Sequence, residues 1–103
     1  MGARENRVEA HLDQRVKELG GVTRKWVSPG RDGVPDRIVI VKGYICFVEI
    51  KTVAGRLSPV QRREIERLQN VGADVFVAHG HGGVATVIDY IKSKLQELDH
   101  EKV

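Results

Sequence analysis

The feature that most constrains the fold is a pair of apolar segments joined by a two-residue turn. Residues 38–41 (Ile-Val-Ile-Val) and residues 44–51 (Tyr-Ile-Cys-Phe-Val-Glu-Ile-Lys) flank a Lys-Gly pair at 42–43. Two segments rich in β-branched residues around a short turn that contains glycine are typical of a β-hairpin. If the Lys-Gly pair is the whole turn, Asp36 lies directly opposite Glu49, with the two Cβ atoms roughly 5 Å apart.

Two carboxylates opposite each other in an apolar hairpin need an explanation. Like charges repel in that position, and burial of an unpaired carboxylate is costly. A divalent cation held by Asp36 and Glu49 would remove both costs, and paired carboxylates hold Mg²⁺ against phosphates in many proteins. Lys51 points to the same face as Glu49, at a rise of roughly 6.6 Å. The alternative is a surface-facing pair with a Lys51–Glu49 salt bridge, and a register shifted by one residue would separate the carboxylates onto opposite faces.

The N-terminal part of the chain predicts a helix followed by a strand. Residues 5–19 carry an apolar stripe at helical spacing, and two glycines follow it as a typical helix end. Residues 23–28 form the first predicted strand, and residues 28–33 are a loop by composition. Arg31 lies in this loop, which is either a plain connector or a flexible lip that contacts a nucleic-acid backbone.

A second helix is predicted after the hairpin. It begins at Ser58 with Pro59 in its first position, and Ser58 and Gln61 complete a capping box. Gln61 therefore has a structural explanation of its own. The residues that we predict to face the core from this helix are Val60, Leu68 and Val71.

The C-terminal part predicts two strands and a helix. Residues 74–78 indicate a buried strand, residues 79–83 a tight glycine-rich turn, residues 84–87 a short further strand and residues 88–98 the last helix. His79 and His81 lie two residues apart in the turn. We expect no metal site there, because a glycine-rich turn supplies no third ligand and holds its side chains loosely.

Length and composition narrow the class of protein. A chain of 103 residues suits one domain, so we expect residues 1–103 to form a single unit. The net charge of +3, from 17 basic and 14 acidic residues, permits a polyanionic partner without requiring one. Cys46 is the single cysteine, so it cannot form an internal disulfide, and we expect a buried small side chain in an intracellular, cytoplasmic protein. No segment approaches the ~18 apolar residues of a membrane span.

Three short motifs together resemble one nuclease family. They are Gly-Val-Pro-Asp-Arg at residues 33–37, Phe-Val-Glu-Ile-Lys at 47–51 and Leu-Ser-Pro-Val-Gln at 57–61. In combination they are similar to the virus-type replication-repair nuclease (VRR-NUC) family of the PD-(D/E)xK superfamily, over residues 5–78. The resemblance implies an α/β fold with a restriction-endonuclease-like core, in which helices flank a mixed β-sheet. The catalytic positions show no clear departure from the pattern.

The resemblance also implies a metal-binding set. Asp36 and Glu49 would bind Mg²⁺ or Mn²⁺, and the backbone carbonyl of Ile50 would be a further ligand. A glutamate on the first helix often completes the site in this superfamily. Glu9 is our choice for that role, acting directly or through a water, and Glu5 is its rival one turn earlier.

The remaining catalytic roles fall to Lys51 and Gln61. Lys51 would orient the attacking water and offset the negative charge of the transition state. Gln61 would position a water or a phosphate near the metal, in addition to capping its helix.

The function implied by the resemblance is a metal-dependent, structure-selective DNA endonuclease. Stand-alone phage and bacterial members resemble Holliday-junction resolvases and act as homodimers, which makes a four-way junction the expected substrate. The Trp26 region and the last helix are the candidate dimer surfaces. The sequence does not decide whether the substrate is DNA or RNA, or whether one metal ion binds or two. The alternative is a non-catalytic nucleic-acid-binding module with a nuclease fold; a sequence-specific restriction enzyme is less favoured at this length.

Overall fold

The computed structural model describes residues 2–101, which form three helices and four strands. The elements in chain order are α1 (Ala3–Glu18), β1 (Val22–Lys25), β2 (Arg37–Val41), β3 (Tyr44–Lys51), α2 (Pro59–Asn70), β4 (Val75–His79) and α3 (Gly80–Glu101). The strands lie in the order β1-β2-β3-β4 in one sheet. The first three are antiparallel, and β4 runs parallel to β3 after the crossover through α2. The prediction of a mixed sheet flanked by helices is confirmed. Within residues 2–101, no helix is long and apolar enough to cross a membrane.

The hairpin of β2 and β3 has the register that the sequence predicts. Val41 pairs with Tyr44, and Arg37 pairs with Val48. The intervening Lys42 and Gly43 both have positive φ, 49° and 84°. Positive φ at both central residues is the signature of the type I′ turn, whose twist matches that of the two strands. Because this register continues past the Arg37–Val48 pair, Asp36 lies opposite Glu49, and the two carboxylates come together there.

The two faces of the sheet have different environments. One face carries Val39 and Val41 of β2 with Cys46, Val48 and Ile50 of β3, all fully buried under α1 and α3. The other face is covered only in part, by α2 on the side of β3 and β4. Because the sheet alternates its side chains, the two carboxylates point to this second, partly open face.

The structure corrects the prediction for residues 79–87. The predicted tight turn and short strand are wrong, since α3 begins at Gly80 and includes Val84 and Val87. These two valines are buried with Ile88 and Ile91, which completes a helical i, i+3, i+4, i+7 stripe. The glycine at position 83 lies so close to β4 that a Cβ there would meet the Ala78 backbone at 2.9 Å. Tertiary packing therefore overrides the low helix propensity of glycine and valine.

The predicted inward stripe of α2 is wrong at Val60 and Val71, although Leu68 does face inward. Val60 is 42% exposed and Val71 is 82% exposed, whereas Glu64 and Ile65 are buried. The inward face consists of Gln61, Glu64, Ile65 and Leu68, at helical spacing. Two polar residues belong to it for different reasons, since Gln61 donates to Glu49 and Glu64 is paired with Arg31 and Arg67.

The first strand is shorter than predicted, since β1 ends at Lys25. The Trp26 N–H still donates to the carbonyl of Asp36 at 3.1 Å. This bond ties the chain after β1 to the start of β2, where the site lies.

Candidate active site

Asp36 directly precedes β2 and is held there by two hydrogen bonds, one to its backbone and one to its side chain. Its backbone carbonyl accepts from Trp26, and its side-chain Oδ2 accepts the N–H of Ile50 at 2.8 Å. The side chain of Asp36 therefore takes the place of a backbone acceptor in the ladder between β2 and β3. Its carboxylate is fixed against β3, next to Glu49.

The carbonyl oxygen of Ile50 has no ladder donor opposite it. In an antiparallel pair, the N–H and C=O of one residue point to the same neighbouring strand. The N–H of Ile50 points toward Asp36, so its C=O points to the same side. The residue opposite Ile50 in this register is Pro35, which has no N–H to donate. This oxygen is therefore available at the same edge as the two carboxylates.

Glu49 is almost completely buried, at 2% exposure. Its Oε2 accepts a hydrogen bond from Gln61 Nε2 at 3.2 Å and lies 3.7 Å from Lys51 Nζ. Its Oε1 is buried and accepts no hydrogen bond from any of residues 2–101. Burial, and then the charge of Asp36, raise the pKa of Glu49 to about 8, although Lys51 acts in the opposite direction. Ionised Glu49 is therefore costly in the protein alone.

These observations fit a hard divalent cation. Asp36, Glu49 and the Ile50 carbonyl form a donor set of oxygen atoms, which Mg²⁺ prefers. A cation would use the orphaned Glu49 Oε1 and remove the repulsion from Asp36. Within residues 2–101, no three His, Cys, Asp or Glu side chains lie together as a metal-binding group. The set consists of two carboxylates and a backbone oxygen.

Glu9 contacts the neighbour of Asp36 rather than Asp36 itself. Its Oε1 lies 2.6 Å from Arg37 Nη2, and Arg37 Nε lies 3.1 Å from Asp13 Oδ1. Glu9 Oε2 and Arg37 Nη1 are buried and have no hydrogen-bond partner among residues 2–101. Arg37 points to the face covered by α1, whereas Asp36 points to the opposite face. Glu5, the rival position, is half-buried one turn earlier on α1.

The side-chain amide of Gln61 makes two contacts, one that caps α2 and one to the site. Its Oε1 accepts the Ser58 N–H at 2.9 Å, while the Ser58 hydroxyl accepts the Gln61 N–H at 3.1 Å. This is the predicted capping box, which is confirmed. The remaining amide nitrogen donates to Glu49. The cap and the site contact are therefore compatible, and the start of α2 is attached to the carboxylate.

Glu64 is a site-proximal residue that sequence reasoning missed. It lies one helical turn after Gln61 and is 5% exposed. Its Oε1 lies 3.1 Å from Nη1 of both Arg31 and Arg67. The loop that carries Arg31 is thus attached to α2 rather than free, and Gly33 of the same loop packs against the Val60 carbonyl with φ of 87°. The available signal was position, because Glu64 shares a helical face with Gln61.

Comparison with known proteins identifies relatives of the chain. The sequence model of the VRR-NUC domain matches residues 4–82. A protein named "Putative nuclease p44", from Acyrthosiphon pisum secondary endosymbiont phage 1, is 47% identical over 75 residues, which cover 72% of this chain and 81% of the phage protein. A solved structure described as a VRR_NUC domain is 39% identical, with a TM-score of 0.80, and the match covers 85% of this chain and 97% of the other.

Proposed function

The chain belongs to the VRR-NUC family of nuclease domains, and from that premise we propose that it is a metal-dependent endonuclease that hydrolyses phosphodiester bonds in structured DNA. The observation that carries the proposal is the buried Glu49 carboxylate, with an orphaned oxygen and a raised pKa, placed between Asp36 and Lys51. A residue that is expensive to ionise in a folded protein is typical of a functional site.

The metal ligands in this proposal are Asp36, Glu49 and the carbonyl of Ile50, with Mg²⁺ or Mn²⁺ as the ion. When bound, such an ion supplies charge neutralisation and polarisation of a phosphate oxygen. Glu9 is a proposed further ligand of the ion, directly or through a water, by way of its unpaired Oε2. Its Oε1 binds the guanidinium of Arg37, the residue after Asp36.

Lys51 and Gln61 act on the groups around the ion. The Lys51 side chain is only 13% exposed, so its ammonium group acts in a partly desolvated site where electrostatic effects are strong. We assign it the orientation of the attacking water and compensation of the developing negative charge. Gln61 holds Glu49 Oε2 in place and so leaves Oε1 for the cation.

The finer proposal is a homodimer that cleaves four-way DNA junctions. A two-fold symmetric dimer presents two identical sites, which match the symmetry of a junction and need little base readout. The open face of the sheet supports a second copy as the partner. Val22, Ile40 and Ile45 on neighbouring strands there are 44%, 36% and 51% exposed, and self-association would bury them.

The decisive experiment is a cleavage assay on labelled linear duplex, single strand, flap and four-way junction, each with Mg²⁺, Mn²⁺ or EDTA. We expect metal-dependent hydrolysis and paired symmetric nicks in the junction. Preference for another substrate would contradict the junction specificity alone. Absence of cleavage of every substrate by folded protein in Mg²⁺ and Mn²⁺ would contradict the nuclease proposal, and undiminished junction binding in EDTA would then identify a binding module.

A further inference from the structure

A cleft of about 640 Å³ lies beside the candidate active site, on the side of β4. Its walls are the segment after β3, the first two turns of α2 and the end of β4. The lining residues that matter for its chemistry are Arg56, Arg62, Arg63, Glu66, Val77 and His79. None of the metal ligands or proposed catalytic residues lines it.

The cleft is basic, and its charged groups are available. Three arginines face one glutamate, and all four side chains belong to exposed residues. In the described part of the chain, Arg56, Arg62 and Arg63 form no ion pair, whereas Arg31 and Arg67 are both paired with Glu64. Each unpaired guanidinium offers up to five N–H donors in a planar fork, which suits phosphate oxygens.

The register of the parallel strands fixes the distance between the cleft and the site. Val77 of β4 pairs with Glu49, and His79 pairs with Lys51. Paired residues point to the same face, and neighbouring strands lie roughly 4.8 Å apart. The cleft therefore opens about one strand spacing from Glu49 and Lys51. A strand whose phosphate lies over the carboxylates would continue directly into it.

We propose that this cleft binds the sugar–phosphate backbone of the substrate strand on one side of the cleaved bond, through Arg56, Arg62 and Arg63. The inference rests on the proposed nuclease function and specifies how the site holds its substrate. Contacts from these arginines to phosphates carry no base information, so recognition by the cleft is by charge and is independent of base sequence.

The test is DNA binding rather than cleavage, so that a failure of the nuclease proposal stays distinguishable. Glu49→Gln is the parent, because it removes the buried charge and prevents turnover. Fluorescence anisotropy in EDTA measures the affinity for a labelled four-way junction across a range of salt concentrations. In this parent we compare Arg62→Ala/Arg63→Ala with the conservative Arg62→Lys/Arg63→Lys. The matched control is Lys17→Ala/Lys92→Ala, which removes two exposed charges from α1 and α3 on the other side of the sheet.

Each lost phosphate contact lowers the slope of log affinity against log salt by about 0.9 on duplex DNA. We expect the double alanine variant to lose about two units of slope, while the lysine variant and the control keep the parental slope. An unchanged slope in a folded double alanine variant, or an equal loss in the control, would overturn the proposal. Failure of the parent to bind the junction would overturn it as well.

Neutral methylphosphonate linkages in the DNA test which part of the substrate strand the cleft contacts. Linkages placed on one side of the cleaved bond should weaken binding to the parent and have no further effect on Arg62→Ala/Arg63→Ala. Equal loss with both proteins would place the contacts outside the cleft and overturn the assignment. If the slope changes as expected but wild-type protein cleaves nothing in Mg²⁺ or Mn²⁺, the nuclease proposal fails while backbone binding by the cleft stands.

Discussion

Gln61 donates a hydrogen bond from its amide nitrogen to Glu49 Oε2 at 3.2 Å while its amide oxygen caps the helix that carries it. One side chain thus links the start of α2 to the most deeply buried carboxylate of the site. The position of the helix and the orientation of Glu49 are therefore coupled.

Substitutions of Gln61 should separate these two roles. Gln61→Glu keeps an oxygen for the Ser58 N–H but places a negative charge against Glu49. We expect a near-normal melting temperature and a fall in cleavage rate on the order of tenfold or more. Gln61→Ala removes both contacts and should cost about 1 kcal/mol of unfolding free energy as well. Circular dichroism and single-turnover cleavage check both variants, and full activity of the glutamate variant would contradict the site role of Gln61.

The raised pKa of Glu49 predicts an unusual dependence of stability on pH. The pKa is about 8 in the folded protein against 4.5 for the unperturbed group, chiefly because of burial. Between these values the folded state holds more protons than the unfolded state, so the Glu49 contribution falls as pH rises through this window. In EDTA, Glu49→Gln should therefore be more stable than wild type at pH 8.5, by roughly 4 kcal/mol, and about equal to it near pH 4.5.

Chemical denaturation of both proteins across this pH range measures the difference. Added Mg²⁺ is the control, because a bound cation favours ionised Glu49 and should stabilise wild type more than Glu49→Gln. A constant difference in stability between pH 4.5 and 8.5 would show that the carboxyl group titrates normally.

The sequence was sufficient to predict the core of the candidate site, and the reason is geometric. A two-residue turn fixes the hairpin register, and the register alone brings Asp36 and Glu49 to one face. The position of Gln61 could be predicted because its capping box starts the helix that follows the hairpin. The network of Glu9 and Arg37 was not predictable, because it depends on how α1 lies across the sheet.

The errors in the predicted fold also come from tertiary packing that the local sequence does not show. Gly80, Gly82 and Gly83 next to valines indicated a turn and a strand from local preference alone. Close packing of α3 on β4 reverses that preference. The face of α2 was misassigned because apolar residues were taken as the inward ones, although this helix turns Glu64 inward to receive Arg31.

Lys51→Ala and Asp36→Asn should separate the chemistry from metal binding. Lys51→Ala removes the cation that lowers the pKa of Glu49 but no proposed ligand. We expect retained Mg²⁺ binding and a loss of cleavage of roughly 100-fold or more. Asp36→Asn removes a charged ligand and should weaken Mg²⁺ binding itself. Calorimetry with Mg²⁺ and single-turnover cleavage measure the two effects, and unchanged metal affinity in Asp36→Asn would reject it as a ligand.

The homodimer proposal predicts a monomer when the open sheet face is charged. Ile45→Glu places a carboxylate at a residue that is 51% exposed, so the fold of one chain should tolerate it. In a dimer that buries this face, the same charge is costly. Sedimentation velocity should show wild-type dimer and variant monomer. Tyr90→Glu on α3, at 41% exposure, is the matched control, and dissociation by that variant instead would assign the interface to the last helix.

The contact of Arg31 with Glu64 predicts that a remote carboxylate positions the loop before Asp36. Glu64 binds Arg31 from the loop and Arg67 from its own helix, with equal distances of 3.1 Å. Arg31→Ala therefore releases the loop, whereas Arg67→Ala removes a charge pair of the same kind and leaves the loop attached. We expect faster limited proteolysis within residues 28–33 and a fall in kcat on the order of tenfold for Arg31→Ala alone. Equal behaviour of the two variants would show that the contact with Glu64 has no effect on the site, because loss of charge would then account for both.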